Sequence, residues 1–69
     1  MLGTNLRRLR TSTGLSQEEL ASRSSLHRTY ISSVERGQRN VSVENIFLLA
    51  KALGAEPSDL LRVDREGER

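Results

Sequence analysis

Hydrophobic residues recur at helical spacing along most of the chain and divide it into five short segments. Residues three and four positions apart lie on the same side of a helix, because each residue turns the chain by about 100°. No segment shows the apolar–polar alternation of a half-buried strand. The pattern therefore predicts an all-α protein, with five helices joined by connections of a few residues.

Local capping signals predict where these helices begin and end. In LSQEEL the Ser16 side chain can bond to the backbone of Glu19 while the Glu19 side chain bonds back, so we predict a second helix from Gln17 to Ser24. Ser42 is a candidate cap for the fourth helix, and Pro57 occupies the first turn of a fifth, PSDLLRV. Three glycines predict helix ends, namely Gly14, Gly37 and Gly54.

The third helix, within LHRTYISSVERGQRN at residues 26–40, combines a buried side with a polar side. At helical spacing Tyr30, Ile31, Val34 and the stem of Glu35 face inward. The opposite side carries short polar side chains with arginines at its borders, namely Arg28, Thr29, Ser32, Ser33 and Arg36. Short side chains let a helix lie deep in a groove, and the DNA major groove, about 12 Å wide, admits one. One side is therefore predicted to belong to the core and the other to DNA.

The fourth helix, VENIFLLAKAL, carries more apolar residues than one core-facing side requires. Its predicted core side consists of Val43, Ile46, Leu49, Ala50 and Leu53. The remaining apolar residues predict a surface patch near the fourth and fifth helices, formed by Val41, Phe47, Leu48 and Leu60. Because one copy of so small a domain contacts only a few base pairs, we predict a homodimer through this patch, bound to a palindromic operator.

The length of the chain limits the number of domains, and the distribution of its charges indicates the kind of partner. The 69 residues suffice for one domain, which we assign to residues 1–63, followed by a charged, flexible tail at residues 64–69. The net charge is only +2, but residues 1–40 carry seven arginines against three glutamates, whereas residues 41–69 carry four cations against six carboxylates. Ten of the eleven cations are arginine, which suits phosphates and base edges. This asymmetry favours a polyanionic partner for the first part.

Several classes of site and location are disfavoured by the residues that the chain lacks. It has no cysteine and a single histidine, which argues against disulfides and metal sites. No apolar run approaches the length of about 18 residues needed for a membrane span, and MLGTNLRRLR has no apolar segment of a secretory signal. We expect a soluble cytoplasmic protein with no cofactor, no metal, no membrane partner and no small-molecule ligand.

Two stretches carry a resemblance to a known family. LSQEELASRSSLHRTYISSVERGQRN, followed by SVENIFLLAKALGAEPSDLL, resembles the XRE-type, phage-repressor-like helix-turn-helix family from about Leu2 to Leu61. Within that family HRTYIS, ERG and RN are similar to controller proteins of restriction–modification systems, which are small dimeric regulators. The resemblance implies a compact five-helix repressor-like helix-turn-helix domain that acts as a sequence-specific, double-stranded DNA-binding transcriptional regulator.

The resemblance also implies roles for individual residues. The residues implied to face base edges are His27, Arg28, Thr29, Ser32 and Ser33, with Arg28 the best candidate for a bidentate contact to guanine. The residues implied to contact phosphates are Gln17, Arg36, Gln38, Arg39 and Asn40. Arg10 and Glu35 occupy positions that form a partly buried, structural ion pair in the family.

Three residues depart from the family pattern. Ser25 stands in the turn where the family usually has glycine, and a left-handed backbone at a non-glycine residue costs about 1 kcal/mol. His27 replaces a frequent serine cap before the third helix, and Val41 replaces the usual proline before the cap of the fourth. We therefore expect an altered turn and a weaker cap at the start of the third helix.

Two other classes of function remain open on the same fold. An antitoxin or another protein-interaction module could hold a partner with the apolar patch, although the sequence shows no appended arm for gripping one. An enzyme needs a nucleophile and a base in a pocket, for which one histidine, no cysteine and scattered carboxylates are a poor basis, so we predict no enzymatic activity.

Overall fold

The computed structural model describes residues 2–62, whose regular structure is entirely helical. Five helices follow one another: α1 Leu2–Ser12, α2 Gln17–Ser24, α3 Arg28–Glu35, α4 Val43–Leu53 and α5 Pro57–Leu61. The predicted all-α, five-helix repressor-like fold is confirmed. None of these five helices has both the length and the apolar character needed to cross a membrane. Val63 and the predicted tail at residues 64–69 lie outside the described residues.

The capping residues act as predicted. Ser16 Oγ accepts from the Glu19 backbone at 3.0 Å, and the Glu19 carboxylate accepts from the Ser16 backbone at 2.8 Å. Ser42 caps α4 by accepting from the backbone of Asn45 at 3.1 Å, and Pro57 opens α5. The glycines at the three predicted helix ends all have a left-handed backbone, namely Gly14, Gly37 and Gly54. Local sequence therefore determines most of the helix boundaries.

Apolar residues from all five helices form one core. The fully or almost fully buried members are Leu6, Leu20, Ile31, Val34, Ile46, Leu49, Ala50, Leu53 and Leu60. Burying a leucine or isoleucine side chain contributes roughly 1.5–3 kcal/mol relative to leaving it exposed. Helix α1 packs on α3 and α5, α2 packs on α3 and α4, and α4 packs on α5. Helix α3 is therefore held between α1 and α2 with one of its sides in the core.

Helix α1 crosses α3 at very short range. A Cβ atom on Gly3 would collide with the carbonyl oxygen of Val34 and lie 3.0 Å from the carbonyl oxygen of Glu35. Both of these obstacles are backbone atoms, which cannot rotate away as a side chain can. The close approach of the two helices therefore requires glycine at this position.

Helix α1 also contacts the end of α5 through Asn5. This side chain is 2% exposed, and its Nδ2 donates to the carbonyl oxygens of Leu60 at 2.8 Å and Arg62 at 2.6 Å. Its Oδ1 accepts from the Arg8 guanidinium at 2.7 Å. Carbonyl groups at the C-terminal end of a helix have no hydrogen-bond donor within that helix. Asn5 of α1 therefore supplies the donor that these carbonyl groups of α5 lack.

The prediction for the apolar surface is wrong at two positions. Val43, expected in the core, is 71% exposed, because as the first residue of α4 it lies roughly 70° from the middle of the core-facing side. Leu60, expected in the surface patch, is 0% exposed because it packs beneath α1 and α4 in the core. The large exposed apolar residues of α4 and α5 are Val43, Phe47, Leu48 and Leu61.

Candidate nucleic-acid interface

Helix α3 turns one side to the core and the other to solvent. Ile31 and Val34 are 0% and 1% exposed, as predicted. Arg28 and Thr29 are exposed, and Ser32 and Ser33 are half-buried; we call these four residues, Arg28, Thr29, Ser32 and Ser33, the reading edge. The predicted division of this helix into a core side and an accessible side is therefore present.

The two serines of the reading edge keep hydrogen-bonding capacity for a ligand. The Ser33 hydroxyl donates to the Thr29 carbonyl oxygen at 2.9 Å, so its oxygen is still able to accept. The Ser32 hydroxyl accepts from the Arg36 guanidinium, so its proton is still available to donate. Each serine thus presents a different group beside the exposed Arg28.

The carboxylate of Glu35 anchors the other end of α3. Its side chain is inaccessible to solvent and accepts from Arg10 twice, with Nε to Oε2 at 2.6 Å and Nη2 to Oε1 at 3.0 Å. Arg10 Nη1 also donates to the Leu15 carbonyl oxygen at 2.9 Å. The expected ion pair is therefore present, and it joins α1, α3 and the loop before α2.

Both partners of this pair are charged at neutral pH. Burial raises the pKa of Glu35, but the hydrogen bonds from Arg10 and Gln17 and the positive charges of Arg10 and Arg7 together outweigh it and hold that pKa below its ordinary value. The pKa of Arg10 is raised because its guanidinium donates hydrogen bonds to Glu35. Every buried side-chain nitrogen and oxygen atom among the described residues has a hydrogen-bond partner. The network is thus complete without a ligand.

Gln17, implied to contact a phosphate, belongs to the same network. Its Nε2 donates to Glu35 Oε1 at 3.0 Å, and Arg7 Nε lies 3.6 Å from that same oxygen. One of the two N–H groups of the Gln17 side-chain amide is therefore engaged inside the protein. In this conformation a phosphate would meet the other N–H of that amide together with the backbone N–H groups at the start of α2.

A groove of about 480 Å³ lies beside the reading edge, between the start of α3 and the start of α4. It brings together four of the predicted ligand-binding residues, namely His27, Thr29, Ser33 and Arg39. The other predicted residues after α3, namely Arg36, Gln38 and Asn40, are exposed, and Arg36 Nε donates to Gln38 Oε1 at 3.2 Å. Three base-facing candidates and one phosphate-facing candidate thus line the same groove.

Tyr30 and Asn45 also line this groove, although their positions in the sequence did not predict it. Asn45 Nδ2 donates to the Tyr30 hydroxyl at 3.0 Å, and the Arg39 guanidinium lies over the Tyr30 ring, 5.5 Å from its centroid. Because the phenol oxygen accepts from Asn45, its proton remains available to donate into the groove. The available sequence signal was Asn45 itself, a polar residue one helical turn before the buried Leu49.

A family model described as helix-turn-helix matches residues 6–60. The chain belongs to the helix-turn-helix family. Its family and its similarity to regulators of the same fold make it a DNA-binding transcription regulator.

Similar helix-turn-helix proteins include regulators of known type. The control protein C.BamHI of Bacillus amyloliquefaciens is 53% identical over 62 residues, which cover 88% of this chain and 76% of that protein. The restriction-modification controller protein C.AhdI from Aeromonas hydrophila has a structure that matches with a TM-score of 0.84 at 59% identity, over 86% of this chain and 89% of that chain. SinR, a master regulator for biofilm formation whose structure was solved in complex with DNA, matches with a TM-score of 0.86 at 28% identity, over 90% and 100% of the two chains.

The expected alteration of the turn between α2 and α3 does not occur, whereas the expected weaker cap of α3 does. Ser25, between α2 and α3, has φ 64° and is the one non-glycine residue with positive φ among those described. His27 is the N-cap of α3, but its side chain makes no capping hydrogen bond. The unit therefore keeps the left-handed turn that the family usually builds with glycine, and α3 starts without a side-chain cap.

Proposed function

We propose that this helix-turn-helix protein is a restriction–modification controller that acts in the cytoplasm, as a homodimer bound to a palindromic operator in double-stranded DNA. The similarity to C.BamHI and C.AhdI supports the controller assignment. The accessible reading edge on a helix whose other side is locked into the core is the observation that carries the proposal, because it offers a rigid polar surface of helical width.

Base recognition is assigned to the reading edge together with His27. The planar guanidinium of Arg28 has the geometry for two hydrogen bonds to the O6 and N7 atoms of guanine. Thr29, Ser32 and Ser33 are short enough to let α3 approach the base edges closely. Of these, the Ser33 oxygen can accept and the Ser32 proton can be donated.

Phosphate binding is assigned to the two flanks of α3. One flank is the start of α2 at Gln17, and the other is the exposed segment that contains Arg36, Gln38, Arg39 and Asn40. Contact with the Tyr30 ring restricts the conformations of Arg39 before DNA arrives. Less side-chain freedom is then lost on binding, which favours the complex.

The homodimer is assigned to the exposed apolar residues of α4 and α5. Val43 and Phe47 lie one helical turn apart on α4 and are 71% and 58% exposed, and Leu61 of α5 is 56% exposed. Leu48 and the half-buried Val41 remain candidate members, whereas the buried Leu60 is not one. Joining two copies places two reading edges on one operator and doubles the base contacts.

The DNA-binding assignment is tested by selecting bound sites from random duplexes and then comparing two arginine variants. Arg28→Ala should relax selection at one base pair in each half-site and cost about 1–3 kcal/mol, while Arg39→Ala should weaken binding to all sequences alike. A selection that enriches no palindrome, or an Arg28→Ala protein with unchanged affinity and unchanged preferred sequence, would contradict the assignment.

The homodimer is tested by sedimentation at micromolar concentration. The wild-type protein should sediment as a dimer, and Phe47→Ser should shift it to a monomer that keeps its helical fold, because Phe47 is exposed in the single chain and does not belong to its core. Thr4→Ser, an exposed change on α1, is the matched control and should leave the dimer intact. A wild-type protein of 7.7 kDa, both alone and with DNA, would contradict the dimer.

A further inference from the structure

Two arginines of α1 converge on one buried carboxylate, and only one of them is needed to neutralise it. Arg10 pairs with both oxygens of Glu35 at 2.6 and 3.0 Å, and its side chain is 13% exposed. Arg7 Nε lies 3.6 Å from Oε1 of the same carboxylate, and its side chain is 60% exposed. Glu35 has one negative charge, so the three groups together carry one positive charge in excess.

That excess charge belongs to Arg7. Oε1, the Glu35 oxygen nearest Arg7, already accepts from Arg10 and from Gln17, and these two hydrogen bonds occupy its two lone pairs. At 3.6 Å the Arg7 contact is longer than a hydrogen bond, so it orients the guanidinium electrostatically without saturating it. Within residues 2–62 the structure shows no hydrogen bond from the Arg7 side chain to another residue. Arg7 and Gln17 approach the same carboxylate oxygen, so this largely exposed guanidinium lies close to Gln17.

We propose that Arg7 is a further phosphate-binding residue of this protein, acting beside Gln17 on the DNA backbone. The inference rests on the proposed function, because Gln17 lies on the phosphate-binding side only if α3 binds in the major groove of DNA. Arginine suits this role because its fork can bond two phosphate oxygens while Glu35 holds the Nε edge in place. The next arginine along α1 is excluded, since Arg8 donates to Asn5 Oδ1 at 2.7 Å beside the end of α5.

The salt dependence of DNA binding tests the proposal. The slope of log Kobs against log salt concentration is negative, and each lost phosphate contact reduces its magnitude by about 0.9. Using the selected operator and a scrambled duplex, Arg7→Gln should reduce that magnitude by about this amount and weaken binding several-fold on both duplexes. Arg7→Lys should retain the slope, because it retains the charge. Arg8→Gln is the matched control and should bind with the wild-type slope.

The outcomes separate this inference from the proposed function. If wild-type protein shows no salt-sensitive complex with any duplex, both are overturned. If wild-type protein binds but Arg7→Gln keeps the wild-type slope and affinity, only the role of Arg7 is overturned. If Arg7→Gln lowers the melting temperature but leaves the salt dependence of DNA binding unchanged, Arg7 is a purely structural partner of Glu35. That outcome also overturns the proposal.

Discussion

The two ends of α3 are held in very different ways. At its C-terminal end Glu35 is buried in a complete network with Arg10 and Gln17, and the backbone lies directly against Gly3. At its N-terminal end a serine adopts a left-handed backbone, and His27 begins the helix without a side-chain cap. The orientation of the helix is therefore fixed at the end far from Arg28, while the first turn, which carries Arg28 and Thr29, is the less constrained part.

The difference is one of contact chemistry as well as of exposure. The C-terminal end combines a buried ion pair with close backbone packing. Substituting a single residue of either contact is expected to cost a large part of its stabilisation. The N-terminal end depends on turn geometry and capping, whose contributions are individually near 1 kcal/mol. Four substitutions, ordered by expected effect, test this contrast.

Glu35→Gln should have the largest effect on stability. Removing one partner of a buried ion pair leaves the other charge without compensation and typically costs about 3–5 kcal/mol. Chemical denaturation at neutral pH measures the loss, with the exposed Glu44→Gln as the control that should stay near wild type. Equal stability of the two variants would show that the C-terminal end is not anchored by this pair.

The same residue predicts a pH dependence. The pKa of Glu35 is lowered in the folded protein, so the unfolded chain takes up this proton first as the pH falls. The stabilisation is therefore fully present above the unfolded-state pKa of about 4.3 and is lost as the pH falls below it toward the folded-state pKa. Denaturation curves at neutral and acid pH should show a smaller acid loss in Glu35→Gln than in the wild type. An identical acid loss in both would contradict the assignment.

Gly3→Ala should have the second largest effect. Alanine favours a helix over glycine, yet its Cβ would collide with the Val34 carbonyl oxygen, so we expect a net loss of about 1–3 kcal/mol. Thr4→Ala, at the next, exposed position of α1, lacks this obstacle and should change stability little. Comparing the melting temperatures of the two variants would separate the cost of the steric collision with α3 from the effect of alanine on helix propensity. A gain of stability in Gly3→Ala would mean that α1 and α3 are not in backbone contact.

Ser25→Gly should stabilise the N-terminal end. Glycine adopts φ 64° without the steric cost paid by serine, which is about 1 kcal/mol. The same change at Ser22, inside α2, should lower stability by roughly 0.5 kcal/mol because glycine disfavours a helix. Opposite signs at these two positions would confirm the turn geometry, whereas destabilisation at both would contradict it.

His27→Ser should give the smallest effect, a gain of roughly 0.5–1 kcal/mol from a new side-chain cap on α3. Because His27 also lines the groove, the gain in melting temperature should come with altered operator affinity. Melting and binding measured on the same preparation would show whether the uncapped start serves DNA binding. Unchanged affinity would remove His27 from the interface.

Local signals made most of the fold predictable. The caps at Ser16 and Ser42 and the proline at the start of α5 depend on residues within one turn, so their spacing in the sequence is sufficient. The failures at Val43 and Leu60 have different causes. Val43 lies at the border of the core-facing side of α4, where periodicity alone does not decide burial. Leu60 is buried because α1 and α4 pack on α5, and the periodicity of α5 does not encode that packing.

In the candidate site, too, features within one helix were predictable and contacts between elements were not. The reading edge follows from the periodicity of α3, and the family pattern supplied the pair of Arg10 with Glu35. The link from Asn45 through Tyr30 to Arg39 joins two helices and a loop, and the approach of Arg7 to Glu35 spans two helices. Such contacts arise only when the helices are assembled, so no spacing along the chain predicts them.

Asn5 has a consequence for the geometry of the assembled regulator. Through its two bonds to the end of α5, the helix that clamps α3 also clamps the region next to the proposed subunit contact. In a dimer, α1 would thus set the distance between the two-fold axis and each copy of α3. Half-sites on DNA recur about one helical turn, roughly 34 Å, apart. In such a dimer, loosening this single amide would alter which operator spacings the protein tolerates, although Asn5 itself is buried within the protein.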